Sequence, residues 1–240
     1  MKIRRVLPFL LLASVLAHVR PACAEPDDSS RMHLDVGAGS HVPLLVGAEA
    51  TLELPSRLLF QTEIGWMPRP YVALINTSLV ELGAYDDTTA TLIESALGNS
   101  MIVRLSAGYR PFARAGFEVF AGYTLAVLGG GLSGREVIEA VSTRELPPDA
   151  DREIPLHSTT HSLHAGLAWR FLVNPRLVIR VSLSYFQTVA SSSGIDVTAR
   201  TQAGANAVAE IDAEIDAYLD DIYTTYVKAP LVGVIAAYRY

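Results

Sequence analysis

From Leu44 to Leu54 the chain alternates: Leu44, Val46, Ala48, Ala50, Leu52 and Leu54 fall on one face, and Leu45, Gly47, Glu49, Thr51 and Glu53 on the other. A period of two belongs to an extended strand whose two faces meet different surroundings. The same alternation runs from Met101 to Tyr109, from Phe117 to Leu125 and from Leu177 to Tyr185. Weaker versions run from Met32 to Ala38, Phe60 to Trp66 and Leu163 to Phe171, and the last from Val232 to Tyr240. That makes eight segments. Each is near the roughly 9–11 residues that a tilted strand needs to cross a bilayer.

The connections alternate in length as well. Pro55-Ser56, Pro111 to Ala115 and Leu172 to Arg176 are short, whereas Met67 to Ser100, Gly129 to Ser158 and Ala190 to Tyr226 are long. Short turns at one end and long loops at the other are the pattern of a membrane barrel. The connection around Ser40 to Pro43 is the one short member on the loop side.

The first residues read as a targeting device. Lys2, Arg4 and Arg5 precede an apolar stretch from Leu7 to Leu16, and Ala22-Cys23-Ala24 supplies the small residues of a cleavage site, with Ala22 and Ala24 in the recognised positions. Lipid attachment at Cys23 is the alternative, but Arg20 and Pro21 stand where small or aliphatic residues are needed. Cys23 is the only cysteine, so residues 25–240 offer no disulfide, thiolate metal ligand or cysteine nucleophile. Cleavage takes the formal charge from −6 to −10, because Lys2, Arg4, Arg5 and Arg20 leave and no acid does. An acidic chain of this kind is a poor fit for nucleic acid. Hydrophobic residues make up 50% of the sequence, yet no run of about 18 apolar residues follows the leader to form a transmembrane helix. The apolar surplus fits an outward, lipid-facing barrel wall. Phe60, Trp66, Tyr109, Phe117, Trp169, Phe171, Tyr185, Tyr238 and Tyr240 sit near segment ends, as an interfacial belt requires. A soluble lipocalin-like barrel would instead turn the apolar face inward.

The C-terminal residues Val232, Val234, Ala236, Tyr238 and Tyr240 resemble the outer-membrane assembly signal, with a final aromatic and apolar residues at alternate positions before it. Together with the eight segments, this makes Arg31 to Tyr240 similar to the small outer-membrane barrels, the OmpA-type transmembrane domain and its OmpX- and OmpW-like relatives. The resemblance implies an all-β fold, an eight-stranded antiparallel transmembrane β-barrel. It also implies insertion by the barrel-assembly machinery and contact with outer-membrane lipid and lipopolysaccharide. The expected organisation is a signal peptide, 1–24, and a barrel domain, 25–240, with helical loop insertions at about 68–99, 130–157 and 190–225. Those helical loops depart from the relatives, and no appended peptidoglycan-binding domain is recognised, so wall anchoring is not implied.

The alternation places five acids on the inward face, Asp35, Glu49, Glu53, Glu63 and Glu118, against five arginines, Arg104, Arg110, Arg170, Arg180 and Arg239. An eight-stranded barrel is just wide enough for side chains to fill it, and buried charges pair. The reading is a plugged lumen, with Glu118 expected to face Arg110 and Glu63 to face Arg104; the alternative is a narrow ion path. In the loops, Ala73 to Leu82, Asp87 to Leu97 and Arg135 to Leu146 read as helices, and Ala205 to Tyr226 does so most clearly. In that last helix Val208, Ile211, Ile215, Tyr218, Leu219, Ile222 and Tyr226 form an apolar stripe, so the helices are expected to cap the outer mouth. The acids between Glu210 and Asp221 lack the spacing of a calcium loop and read as a solvated helix face. His157, Ser158, Thr159, His161, Ser162 and His164 invite comparison with barrel enzymes that modify lipid A. No acid stands at an alternate position to complete a triad, so they read as rim residues. The expectation is a non-enzymatic outer-membrane barrel with a structural or surface-interaction role and no metal or cofactor. A narrow porin-like channel is the second reading and a lipid A-modifying enzyme the third.

Overall fold

The computed structural model describes residues 32–81, 99–112, 115–133, 153–195, 213, 216, 217, 219–221 and 223–240. The expected leader 1–24, the expected helices 87–97 and 135–146, and residues 205–212 of the last expected helix lie outside them. Each alternating segment is a strand: β1 (His33–Val42), β2 (Leu45–Glu53), β3 (Leu58–Trp66), β4 (Asn99–Tyr109), β5 (Phe117–Ser133), β6 (Glu153–Asn174), β7 (Leu177–Ile195) and β8 (Lys228–Arg239). They pair antiparallel in chain order and close as β8 meets β1.

The register fixes the barrel's shape. Starting at Tyr238 and stepping across the strands, the partners are Val36, Ala50, Thr62, Leu105, Tyr123, Leu163, Gln187 and finally Lys228. The row returns to β8 ten residues from where it began, at Lys228 instead of Tyr238. For eight strands that stagger demands a tilt of about 40° and a backbone radius of roughly 8 Å, room for side chains and little else.

At one end the turns are tight, and each has local chemistry. Asn174 Oδ1 accepts from the backbone N–H groups of Arg176 (2.9 Å) and Leu177 (2.8 Å), folding the chain from β6 into β7. Gly116 (φ 61°) takes the left-handed conformation ahead of β5, where its carbonyl receives the Arg170 N–H at 2.8 Å. At the other end Pro43-Leu44 is a tight turn; β1 runs on past the expected limit at Ala38, so Ser40 to Val42 are strand.

β5, β6 and β7 are 17, 22 and 19 residues long, against 9 for β2 and β3. Strand therefore occupies 130–133, 153–157 and 190–195, inside ranges expected to be helical loop. The extensions hold Gly129 to Gly131, Ser158 to Thr160 and Ser191 to Ser193, which lack apolar–polar alternation. Strand pairing carries these extensions, and pairing leaves no periodic trace in composition. A bulge at the β6–β7 boundary, between His161 and Ser162, marks where the wall begins to outrun its neighbours.

The loop end is capped. Helix α1 (Arg69–Glu81) starts earlier than the expected Ala73, with Pro70 in its first turn, where a missing N–H breaks no helical bond. The helical residues 213, 216, 217, 219–221 and 223–226 form α2. Val72 of α1 and Tyr223 of α2 are buried with Leu45, Ile102, Leu128 and Leu231, which line the top of the barrel, and Leu219 packs against them. Tyr226, expected in the apolar stripe, is instead 37% exposed, and Tyr223 takes the inward place one helical turn from Leu219.

Candidate functional site: the barrel lumen

All ten charged residues of the expected network are buried inside the barrel, none more than 9% exposed. Two of the pairs, Asp35–Arg239 and Glu63–Arg104, are register partners, and most of the others cross the lumen between strands that are not neighbours. At the turn end Arg239 holds Asp35 through Nε–Oδ1 (2.9 Å) and Nη2–Oδ2 (3.2 Å). Glu53 meets Arg110 at 2.7 Å and Arg170 at 2.6 Å. Arg170 also reaches Glu118 at 2.8 Å and Asp35 at 3.5 Å. Further in, Arg180 donates to Glu118 (2.9 Å), Gln61 Oε1 (3.0 Å) and Glu49 (3.3 Å), and its guanidinium lies 4.9 Å from the centre of the Phe120 ring. That stacking uses the planar cation in a way a lysine would not reproduce. Nearest the cap, Glu63 and Arg104 are direct register partners and bond at 2.9 Å.

One expected pair is different. Glu118 does not face Arg110; it meets Arg170 and Arg180, while Arg110 turns to Glu53. The β4–β5 ladder ends at Tyr109 and Val119, so Arg110 lies beyond it. Its N–H bonds the Arg57 carbonyl at 3.0 Å in the β2–β3 turn, which brings the guanidinium to the end of β2. Symmetry about a turn holds only while the ladder continues.

Several lumen groups carry no sequence signal of their own. His41, expected in a loop, is 1% exposed and lies 3.3 Å from Glu63. Extending the inward parity of Asp35, Gly37 and Gly39 by one step reaches it. His164, expected at the rim, stands inside the barrel with Ser106 Oγ at 2.8 Å and Thr124 Oγ1 at 3.0 Å. β6 begins ten residues before the expected Leu163, so the rim cluster is mid-strand. Its members divide between the faces: Ser158, Ser162 and His164 point inward, while His157 is exposed and His161 bonds the outward Tyr123 hydroxyl. Ser158 pairs with Ser193 (2.8 Å) and Ser162 with Thr188 (3.1 Å), so neither serine meets a histidine in a nucleophile's geometry.

A cavity of about 10 Å³ remains among His41, Glu49, Gln61, Glu63, Arg104 and Arg180. That is space for about one water molecule. His41, Glu49 and Glu63 bring ligand-type atoms within 4.8 Å of one another. Arg104 and Arg180 already match the two carboxylates, and Gln61 Nε2 and Arg104 Nε are buried donors without a partner. Donors and acceptors together suit a water; two guanidinium groups would repel a divalent cation.

The acids of α2 are not a solvated face throughout. Asp220 accepts from the backbone N–H (2.9 Å) and hydroxyl (2.8 Å) of Ser191, and Asp216 from the N–H of Ser193 at 2.6 Å. The β7–β8 ladder ends at Gln187, so these N–H groups belong to a strand edge. Residues four apart on a helix rise about 6 Å and residues two apart on a strand about 6.6 Å, so two carboxylates can stand in for a missing strand's carbonyls. The C-terminal residues Val232, Val234, Ala236, Tyr238 and Tyr240 all face outward on or just beyond β8, and the Tyr240 N–H bonds the Leu34 carbonyl at 2.9 Å.

No protein-family model and no curated protein sequence matches the chain. Among solved structures it is similar to CarO2 of Acinetobacter baumannii (10% identity; 88% of this chain and 100% of that one; TM-score 0.39). It is also similar to a major outer membrane protein of Thermus thermophilus (13% identity; 87% and 98%; TM-score 0.46). A third is the N-terminal β-barrel domain of Pseudomonas aeruginosa OprF (10% identity; 87% and 96%; TM-score 0.36).

Proposed function

We propose that this chain is an integral outer-membrane barrel that does not conduct, a rigid mount for a raised outer wall. The height of its uncharged outer face carries the membrane reading. Tyr238 and Lys228 end one register row ten residues apart on β8. At about 3.3 Å per residue and 40° of tilt, ten residues rise about 25 Å, the height of a barrel's apolar band. Between these ends the outward face of the described strands carries no Asp, Glu, Lys or Arg. It exposes instead Val36, Phe60, Leu105, Leu163, Leu183 and Val232, each 42–55% exposed. A soluble chain would not leave so continuous an apolar surface in water.

The plugged lumen supports the second half of the reading. The charge network fills the tilted barrel, the apolar cluster under α1 and α2 seals its loop end, and about 10 Å³ is left among the ion pairs. The role is then structural or one of surface interaction, exerted by the β5–β7 wall and the cap, and it calls for no catalytic group. Export through a cleaved signal peptide and insertion by the barrel-assembly machinery, using Val232 to Tyr240 as the signal, complete the proposal.

Recording from planar bilayers tests it. The expected result is heat-modifiable, inserted protein with no current above the lipid baseline. Discrete conductance steps from the intact chain would establish the channel reading in its place.

A further inference from the structure

The outward face changes character at one height. Gln187 and Lys228 are direct partners on β7 and β8, and Gln187 pairs in turn with Leu163 on β6. His161 lies one outward step above Leu163, and its Nδ1 is bonded to the hydroxyl of Tyr123, Leu163's partner on β5. With the strand spacing and tilt of this barrel, His161 and Lys228 stand at nearly equal height and roughly 11 Å apart, with Gln187 between and slightly below. One outward step beneath are Leu163, Tyr185 and the exposed Pro230, with Val232 one step lower on β8; Leu163, Tyr185 and Val232 are about half exposed. In the tautomer whose Nδ1 accepts the phenol proton, the ring's Nε2 carries an N–H, and the three side chains then offer an imidazole N–H, an amide and an ammonium along one arc.

An arc of N–H donors directly above an apolar wall matches an amphiphile whose head carries anionic oxygens. Building on the membrane reading above, we infer that His161, Gln187 and Lys228 form a docking surface for the phosphorylated headgroup of an outer-leaflet glycolipid. Its acyl chains lie along β6–β8 below. The spacing of the two end groups favours a head bearing two phosphates over one bearing a single phosphate. The charge complementarity is local: among the described residues, the outward strand faces below this arc carry no cation down to the turns. Arg176 supplies a control, because it is exposed in the β6–β7 turn at the opposite end.

Native mass spectrometry of the intact barrel released from detergent tests this, with diphosphoryl lipid A, monophosphoryl lipid A and phosphatidylcholine as probes. Retention should fall in that order, with the Lys228 ammonium contributing about fivefold. The double variant Lys228→Gln/His161→Gln should bring all three lipids to similar retention, and Gln187→Leu should weaken the preference partially. Arg176→Gln should leave it unchanged, and excess inorganic phosphate should not displace the lipid. Equal retention of the three lipids by the parent would overturn the inference, as would a preference unaltered in the double variant. Displacement by inorganic phosphate would do so too, because it would mark a site for the free ion. The underlying membrane reading fails on a different result, a chain that does not enter vesicles or show heat-modifiable mobility.

Discussion

Arg239 grips Asp35 with two nitrogens across the seam where the last strand meets the first, and the two residues are direct register partners 204 positions apart. Both are buried, so removing Asp35 takes from a buried guanidinium the carboxylate that two of its nitrogens hold. Asp35→Ala should therefore cost about 3–5 kcal/mol, and Asp35→Leu with Arg239→Leu should cost less than the single change. Urea unfolding of the detergent-solubilised barrel measures both. A double variant less stable than Asp35→Ala would mean the pair contributes net stability beyond avoiding an orphaned charge.

On β4 the two faces should respond in opposite ways. Leu105 is 50% exposed on the outer wall, while Arg104 is 3% exposed inside. Leu105→Arg should cost about 2–4 kcal/mol in a bilayer. Single cysteines at 103 and 105 should be quenched by lipid-borne labels, and those at 104 and 106 should not. A reversed pattern would turn the apolar face into a closed core and the protein into a soluble barrel.

The edge of β7 is guarded by carboxylates, and that guard is measurable. Asp220→Ala removes the oxygen that accepts both the N–H and the hydroxyl of Ser191, and hydrogen bonds to a charged group contribute about 1.5–3 kcal/mol. Amide exchange at Ser191 should accelerate while that of β2 and β3 stays at the parent's rate. Unchanged exchange at Ser191 would show that strand pairing with β6 alone holds the edge.

Tyr223 ties the cap's stability to alkaline pH. Burial raises its hydroxyl above the ordinary phenol value of 10.0, and a hydrogen bond with Ser158 offsets this only in part. The unfolded chain therefore loses this proton first as pH rises. The contribution is complete below pH 10 and declines as pH climbs from the free phenol's value through the folded one. Tyr223→Phe should flatten the alkaline fall in cap stability, followed by amide exchange of α2 between neutral and high pH. Parallel profiles for parent and variant would dismiss this linkage.

Much of the barrel was legible because one physical rule, a wet face against an apolar one, writes itself into every second residue. It placed all ten lumen charges on the inward side and matched Glu63 with Arg104. It could not place Arg110, whose partner is decided by a turn beyond the ladder, nor carry β5–β7 past the band where alternation ends. His164 was misplaced for the same reason, because its strand starts in that unpatterned stretch. Asp216 and Asp220 looked solvated because a helix's sequence does not say which strand edge it will meet.

The ion pairs also constrain how such a chain can be built. Glu53, at the end of β2, waits for Arg170 on β6; Glu49 waits for Arg180 on β7; Asp35 waits for Arg239 on β8. A sheet of the first four or five strands would already have Arg110 against Glu53 but would hold Asp35 and Glu49 without their arginines, so it has no comfortable resting state. Zippering strand by strand is penalised until the last hairpin arrives, and assembly becomes close to all-or-none.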